Sequence, residues 1–136
     1  MRTARLNKLW QRASDYVKSR HERIYVLPEQ GLFNYKCFYN AVEFARKNPN
    51  HSVIEVVYVD GYEPVLHYIN QNKETGIYLE TSVGFQATSL EYYFIRVVDE
   101  SEYGRIGQVF RDSLNCWTYQ FTNWFDRNIL KIDRVV

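Results

Sequence analysis

The segment Ser52–Ser82, "SVIEVVYVDGYEPVLHYINQNKETGIYLETS", constrains the fold more than any other part of the chain. It holds three runs rich in β-branched and aromatic residues, which suit a pleated, half-buried surface. The first run ends at Asp60–Gly61, a turn pair, and "NKETG" separates the second from the third. Strands joined this closely pair antiparallel, so the segment predicts a β-meander. "LEYYFIRVVD" adds a fourth strand further on, and Ile24–Leu27 reads as a short extended piece before Pro28 and Gly31.

Helical periodicity brackets these strands. Leu6, Leu9, Trp10, Ala13, Tyr16 and Val17 recur at three- and four-residue steps near the N-terminus. Phe38, Ala41, Val42 and Ala45 do the same after Cys37, ending at Asn48–Pro49, where proline forbids continuation. Ser101 is placed to cap a last helical region, with Ile106, Phe110, Leu114, Trp117, Phe121, Trp124 and Phe125 as its apolar stripe. That stripe spans two helices or one bent one, and Cys116 within it reads as packing. No linker divides the 136 residues, so a single domain, 1–136, of α+β class is expected. Four or five strands should pack against the Cys37 helix, with helices at both ends.

Composition excludes several function classes. Formal net charge is +1, so the whole chain is no polyanion binder. Residues 1–23 carry seven Arg and Lys against Asp15 and Glu22, a local +5 that leaves −4 elsewhere. That basic helix is either a solvated face or a surface for nucleic acid or an acidic partner. No apolar run reaches membrane-span length, and the N-terminus lacks an apolar signal core. Two cysteines make no disulfide framework, so reduced thiols in the cytoplasm are expected. His21, His51 and His67 stand apart from one another and from the cysteines, so neither metal nor cofactor is expected.

One constellation carries chemistry. A thiol attacks as the thiolate, which a helix N-terminus and a neighbouring imidazole both favour. Cys37 opens the second predicted helix. His67 lies inside an apolar strand, where Val65, His67 and Ile69 share one face and Leu66 and Tyr68 the other. A hairpin closed at "NKETG" brings Glu80 within a residue or two of His67's level. Its carboxylate could then hold one ring nitrogen and leave the other facing a thiol, as a nucleophile, base and orienting acid require. A lone Cys37 would read as a small buried hydrophobe; the company of His67 and Glu80 favours the reactive thiol.

In this order the residues resemble the transglutaminase-like branch of the papain-like cysteine enzymes. The matching pieces are "CFYNAVEFAR", "VVYVDGY", "LHYIN" and "GIYLETS", covering roughly Tyr35 to Ser82. The chain is also similar to small uncharacterised bacteriophage proteins with the same Cys, His and acid order. Two departures stand out: Glu80 where the family usually has Asp, and Tyr68 directly after His67. The resemblance implies a papain/transglutaminase-like core with Cys37, His67 and Glu80 as catalytic residues. It implies an oxyanion donor ahead of the cysteine, for which Gln30 and Asn34 are candidates beside the Cys37 backbone N–H. Phe33, Tyr35, Tyr62 and Tyr68 are candidates to line a substrate groove.

The expected activity is thioester chemistry on an amide or ester of a protein or peptide, ending in hydrolysis or acyl transfer. Two other classes remain open. One is a non-enzymatic phage-type protein that binds a host protein and keeps the fold. The other is a nucleic-acid-binding module built on the basic first helix.

Overall fold

The computed structural model describes residues 1–29 and 36–136. Helix α1 spans Arg2–Arg20, and strands β1 (Arg23–Ile24) and β2 (Val26–Pro28) follow. Helix α2 (Cys37–Lys47) precedes the long strands β3 (His51–Asp60) and β4 (Glu63–Asn72). Then come β5 (Tyr78–Glu80), β6 (Glu91–Val98), α3 (Ile106–Phe121) and α4 (Trp124–Asn128). Single 3₁₀ stretches cover Gly84–Ser89 and Glu100–Arg105.

The hairpin of β3 and β4 is the backbone of the sheet. Ten residues of each pair without a break, from His51↔Asn72 to Asp60↔Glu63. Gly61 makes the two-residue turn possible, with φ at 66°, a value that other residues adopt only at a cost. β6 pairs with the other side of β3 and carries a register shift at Glu55/Val56.

Among the described residues the sheet has six strands, in the order β1-β6-β3-β4-β5-β2. It is mixed, because β2 runs parallel to β5. Four or five antiparallel strands were expected, so both number and direction are corrected here. The expected extended piece at Ile24–Leu27 is split at Tyr25 into two strands that pair at opposite edges of the sheet. That split dictates the shape. Strands at the two ends of a flat six-stranded sheet would lie about 24 Å apart. Ile24 and Val26 are two residues apart and can be separated by only about 7 Å. The sheet therefore curls until its edges approach each other.

Curling gives the sheet an outer and an inner face. Helices cover the outer one. Leu9, Ala13 and Val17 of α1 pack with Val57, Val59, Leu66, Trp117 and Phe121. Ala41, Val42 and Ala45 of α2 pack with Val53, Tyr68, Ile106 and Val109. Inside lie Ile54, Val56, Ile69 and Tyr92, closed over by Ile24, Val26, Val83 and Ala87.

The apolar stripe predicted through Phe125 stops at Phe121. Thr122 is extended, and Asn123 caps α4 with its side chain accepting from the Asp126 N–H, so the chain changes direction. Trp124 and Phe125 consequently face solvent, at 64% and 44% exposure. Cys116 is exposed on α3, not packed as expected. The 3₁₀ stretch before α3 is capped by Asp99, two residues earlier than Ser101.

Candidate active site

The site forms where the sheet wall is incomplete. β4 is ten residues long, but β5 pairs with it only at Asn70 and Gln71. The edge of β4 toward Glu63 has no strand beside it on that side among the described residues. The head of α2 meets this edge, which is how a helix on the outer face brings Cys37 to a histidine on the inner one.

Buried side-chain bonds hold α2 there. The Asn70 amide, fully buried, donates to the Ala41 carbonyl at 2.9 Å. Thr81 Oγ1 donates to the Asn70 side-chain oxygen at 3.2 Å. Asn40 Nδ2 donates to Ser82 Oγ at 3.1 Å. No acidic side chain occupies the first turn of α2. The positive end of the helix therefore faces the thiol without a competing carboxylate of its own.

His67 points inward, on the face it was expected to share with Ile69. It is opposite Val56 in the β3–β4 ladder and 5% exposed. Its Nε2 lies 2.8 Å from both carboxylate oxygens of Glu80. Glu80 follows Leu79, the partner of Asn70, and so falls on the same inner face. Cys37 lies near enough to His67 to help raise the pKa of the imidazole. With Nε2 committed to Glu80, Nδ1 is the ring nitrogen left for the thiol.

Glu80 is completely buried, yet its oxygens are fully used. Oε1 accepts from the backbone N–H groups of Ser82 and Val83 at 3.0 and 3.2 Å. Oε2 accepts from the Tyr92 hydroxyl at 2.7 Å. Burial opposes the charge, but His67, Tyr92 and the Ser82 N–H outweigh it and hold the carboxyl below its ordinary pKa. Burial likewise opposes a charged His67. The Glu80 carboxylate and hydrogen bonding with Cys37 and Glu80 prevail, and the imidazole is pushed up to about 10.

Two tyrosines complete the inner face, and the sequence reading had assigned neither a role. Tyr92 closes over Glu80 from β6. Tyr58 meets His67 edge-on, with ring centroids 5.2 Å apart and planes at 81°. Burial and then the charge of Glu80 push the Tyr58 hydroxyl up to about 12. Both sit in runs that alternate faces, so their sharing a face with His67 follows once the register is known.

The groove candidates fare differently. Tyr68 is on the outer face, completely buried; its hydroxyl donates to Glu55 and its ring meets Phe110 at 6.1 Å. It cannot line a groove beside His67. Tyr62, at the β3–β4 turn, packs against Trp10 of α1 with centroids 6.2 Å apart, and its carbonyl accepts from Ser14. Gln30, Phe33, Asn34 and Tyr35 lie outside the described residues.

A second buried carboxylate sits on the outer face. Glu55 accepts from Tyr68 and, at 2.9 Å, from Ser113, with Arg96 Nε at 3.6 Å. It has no histidine or cysteine among these partners, and it reads as a structural tie between the sheet and α3. Several charges of the basic helix are also in use: Arg5 pairs with Asp126 at 2.8 Å, and Lys18 faces Glu91 at 3.5 Å.

Among the described residues there is no cluster of three metal-ligating side chains and no helix long and apolar enough to cross a membrane. Comparison with known proteins finds no match: no family model, no curated protein and no solved structure aligns with this chain. The fold and the side-chain geometry are therefore what bears on function.

Proposed function

We propose that the protein is a cysteine hydrolase or acyltransferase with a papain/transglutaminase-like core, working through a thioester on Cys37. The observation that carries the reading is His67 with Nε2 on both oxygens of the buried Glu80, and Cys37 near enough to act on the same imidazole. That is the relationship of nucleophile, base and orienting acid. His67 takes the thiol proton and keeps it readily, since Glu80 favours the imidazolium. The sulfur then bonds to a carbonyl carbon, and the π pair moves onto oxygen. On collapse of the adduct, His67 returns its proton to the leaving group. Water or an amine next attacks the thioester, giving hydrolysis or transfer. A protein or peptide acyl group is the proposed substrate class.

The test is acylation by p-nitrophenyl acetate, read by peptide mass spectrometry. An acetyl adduct on Cys37, lost in Cys37→Ala and in His67→Gln, is the expected result. Adducts absent from Cys37, or equal on Cys37 and the exposed Cys116, would overturn the reading. Adding hydroxylamine separates transfer from hydrolysis.

One observation favours a second reading, a non-enzymatic protein that binds another protein. Tyr119, Trp124, Phe125 and Ile129 are all exposed, between 44% and 67%, at the end of α3, on α4 and just after it. On that reading Trp124→Ala abolishes partner binding and Cys37→Ala leaves it intact. The nucleic-acid reading is weaker, because part of the charge of α1 is already paired within the protein.

A further inference from the structure

The Tyr58 hydroxyl has no role in holding the inner face together. Tyr92 spends its hydroxyl on Glu80 and Tyr68 spends its own on Glu55. Tyr58 makes no hydrogen bond to any described residue, and no buried side-chain N or O atom there lacks a partner, so its hydroxyl reaches solvent. Its ring, by contrast, is fixed. It lies edge-on to His67 at 5.2 Å and tilted against Tyr92 at 5.8 Å. On β3 it stands opposite Val65, two residues from Val56, the partner of His67. A rigid phenol with a free donor thus stands on the inner face beside the base, close enough to feel charge on Cys37.

We propose that Tyr58 is a catalytic residue, donating a hydrogen bond from its hydroxyl to the carbonyl oxygen of the acyl group under attack by Cys37. The inference rests on the thioester reading above and names a donor that reading lacks. When sulfur bonds to the carbonyl carbon, the π electron pair becomes an oxyanion, which a fixed donor stabilises more than the parent carbonyl. Tyr58 transfers no proton; the thiol proton stays on His67 until the leaving group takes it. Its raised pKa keeps the hydroxyl protonated at neutral pH, as a donor must be. The backbone N–H of Cys37, at the start of α2, is the natural second donor.

Two reactions of the same thiol test this. Alkylation by iodoacetamide displaces iodide at a saturated carbon and forms no oxyanion. Acylation by p-nitrophenyl acetate does form one. Tyr58→Phe keeps the ring against His67 and removes only the hydroxyl. The expected result is acylation of Cys37 slowed by about tenfold or more, with alkylation unchanged. Equal slowing of both reactions would make Tyr58 a support for the thiol or imidazole and overturn the proposal. Unchanged acylation would overturn it as well. If the unaltered protein is not acylated at Cys37 at all, the thioester reading itself fails, a result distinct from either. Thermal melting of Tyr58→Phe, expected within a few degrees of the parent, separates these outcomes from misfolding.

Discussion

His67 Nε2 meets both oxygens of Glu80 at 2.8 Å, and Glu80 is the less exposed of the two. The acid is thus sealed behind the base. Water cannot reach the carboxylate without first displacing imidazole, tyrosine or backbone. A carboxylate in such a position is a fixed part of the histidine's surroundings, and its loss should be felt in both stability and chemistry.

Glu80→Ala should destabilise the protein by about 3–5 kcal/mol, because it leaves a buried imidazole without its counter-charge and removes the acceptor of Tyr92, Ser82 and Val83. Glu80→Gln keeps the volume and one acceptor and should cost less. Chemical denaturation of both variants measures this. A loss under 1 kcal/mol for Glu80→Ala would mean that the pair does not hold the inner face.

The pair also predicts a pH dependence. His67 is raised from its ordinary 6.5 to about 10, so its contribution is complete below about pH 6.5 and is lost as pH rises through about 10. Glu80 is lowered from 4.5, so its contribution is present above that value and is lost as pH falls through the depressed one. Stability of the parent relative to Glu80→Gln should therefore narrow between neutral pH and pH 10. Tyr58 also faces His67, and its hydroxyl, pushed up to about 12, titrates above this range. Denaturation midpoints of the two proteins across this range provide the check, and a constant gap would contradict it.

The two thiols should label in an order opposite to their exposure. Cys37 is buried and Cys116 exposed. If access alone governed reactivity, iodoacetamide would modify Cys116 first. A thiol that passes its proton to His67 reacts as the thiolate, so at mildly acidic pH Cys37 should label first. His67→Gln should reverse the order. Peptide mapping after brief alkylation reads both.

Glu55 supplies the contrast. Glu55→Ala strips Tyr68, Ser113 and Arg96 of a buried acceptor, and should destabilise by about 3 kcal/mol. It lies on the outer face, away from His67, so the labelling order of Cys37 and Cys116 should survive. A reversed order in a folded Glu55→Ala protein would show that the two faces are coupled.

What the residues disclosed and what they withheld follow from range. Within the meander, alternation set the face of His67, and the "NKETG" turn brought Glu80 to the same one, because both depend on neighbours a few residues away. Cys37 could be placed at a helix head for the same reason. The split at Tyr25 could not be read, since strands of two and three residues have no period and their partners lie some seventy and fifty residues on. Tyr58 and Tyr92 stayed hidden behind that closure: each looked like an ordinary strand aromatic until the curled sheet set them around one imidazole. Tyr68 is a groove candidate in the sequence, although alternation puts it on the face opposite His67, and there it stays. Trp124 and Phe125 kept the helical spacing but not the helix, because Thr122 and Asn123 redirect the chain.

The Asn70 bond to the Ala41 carbonyl has one more consequence. A helix lying on a sheet can roll about its own axis at small cost, and rolling swings everything it carries. At a Cα radius of about 2.3 Å, a roll of about 20° displaces each Cα by ~0.8 Å, and an outlying sulfur by more. Misplacement of about 1 Å is enough to cost a catalyst about a hundredfold. Asn70 grips the backbone of α2 one turn from its head, so it fixes the angular index of the helix, and with it the aim of a thiol it never touches.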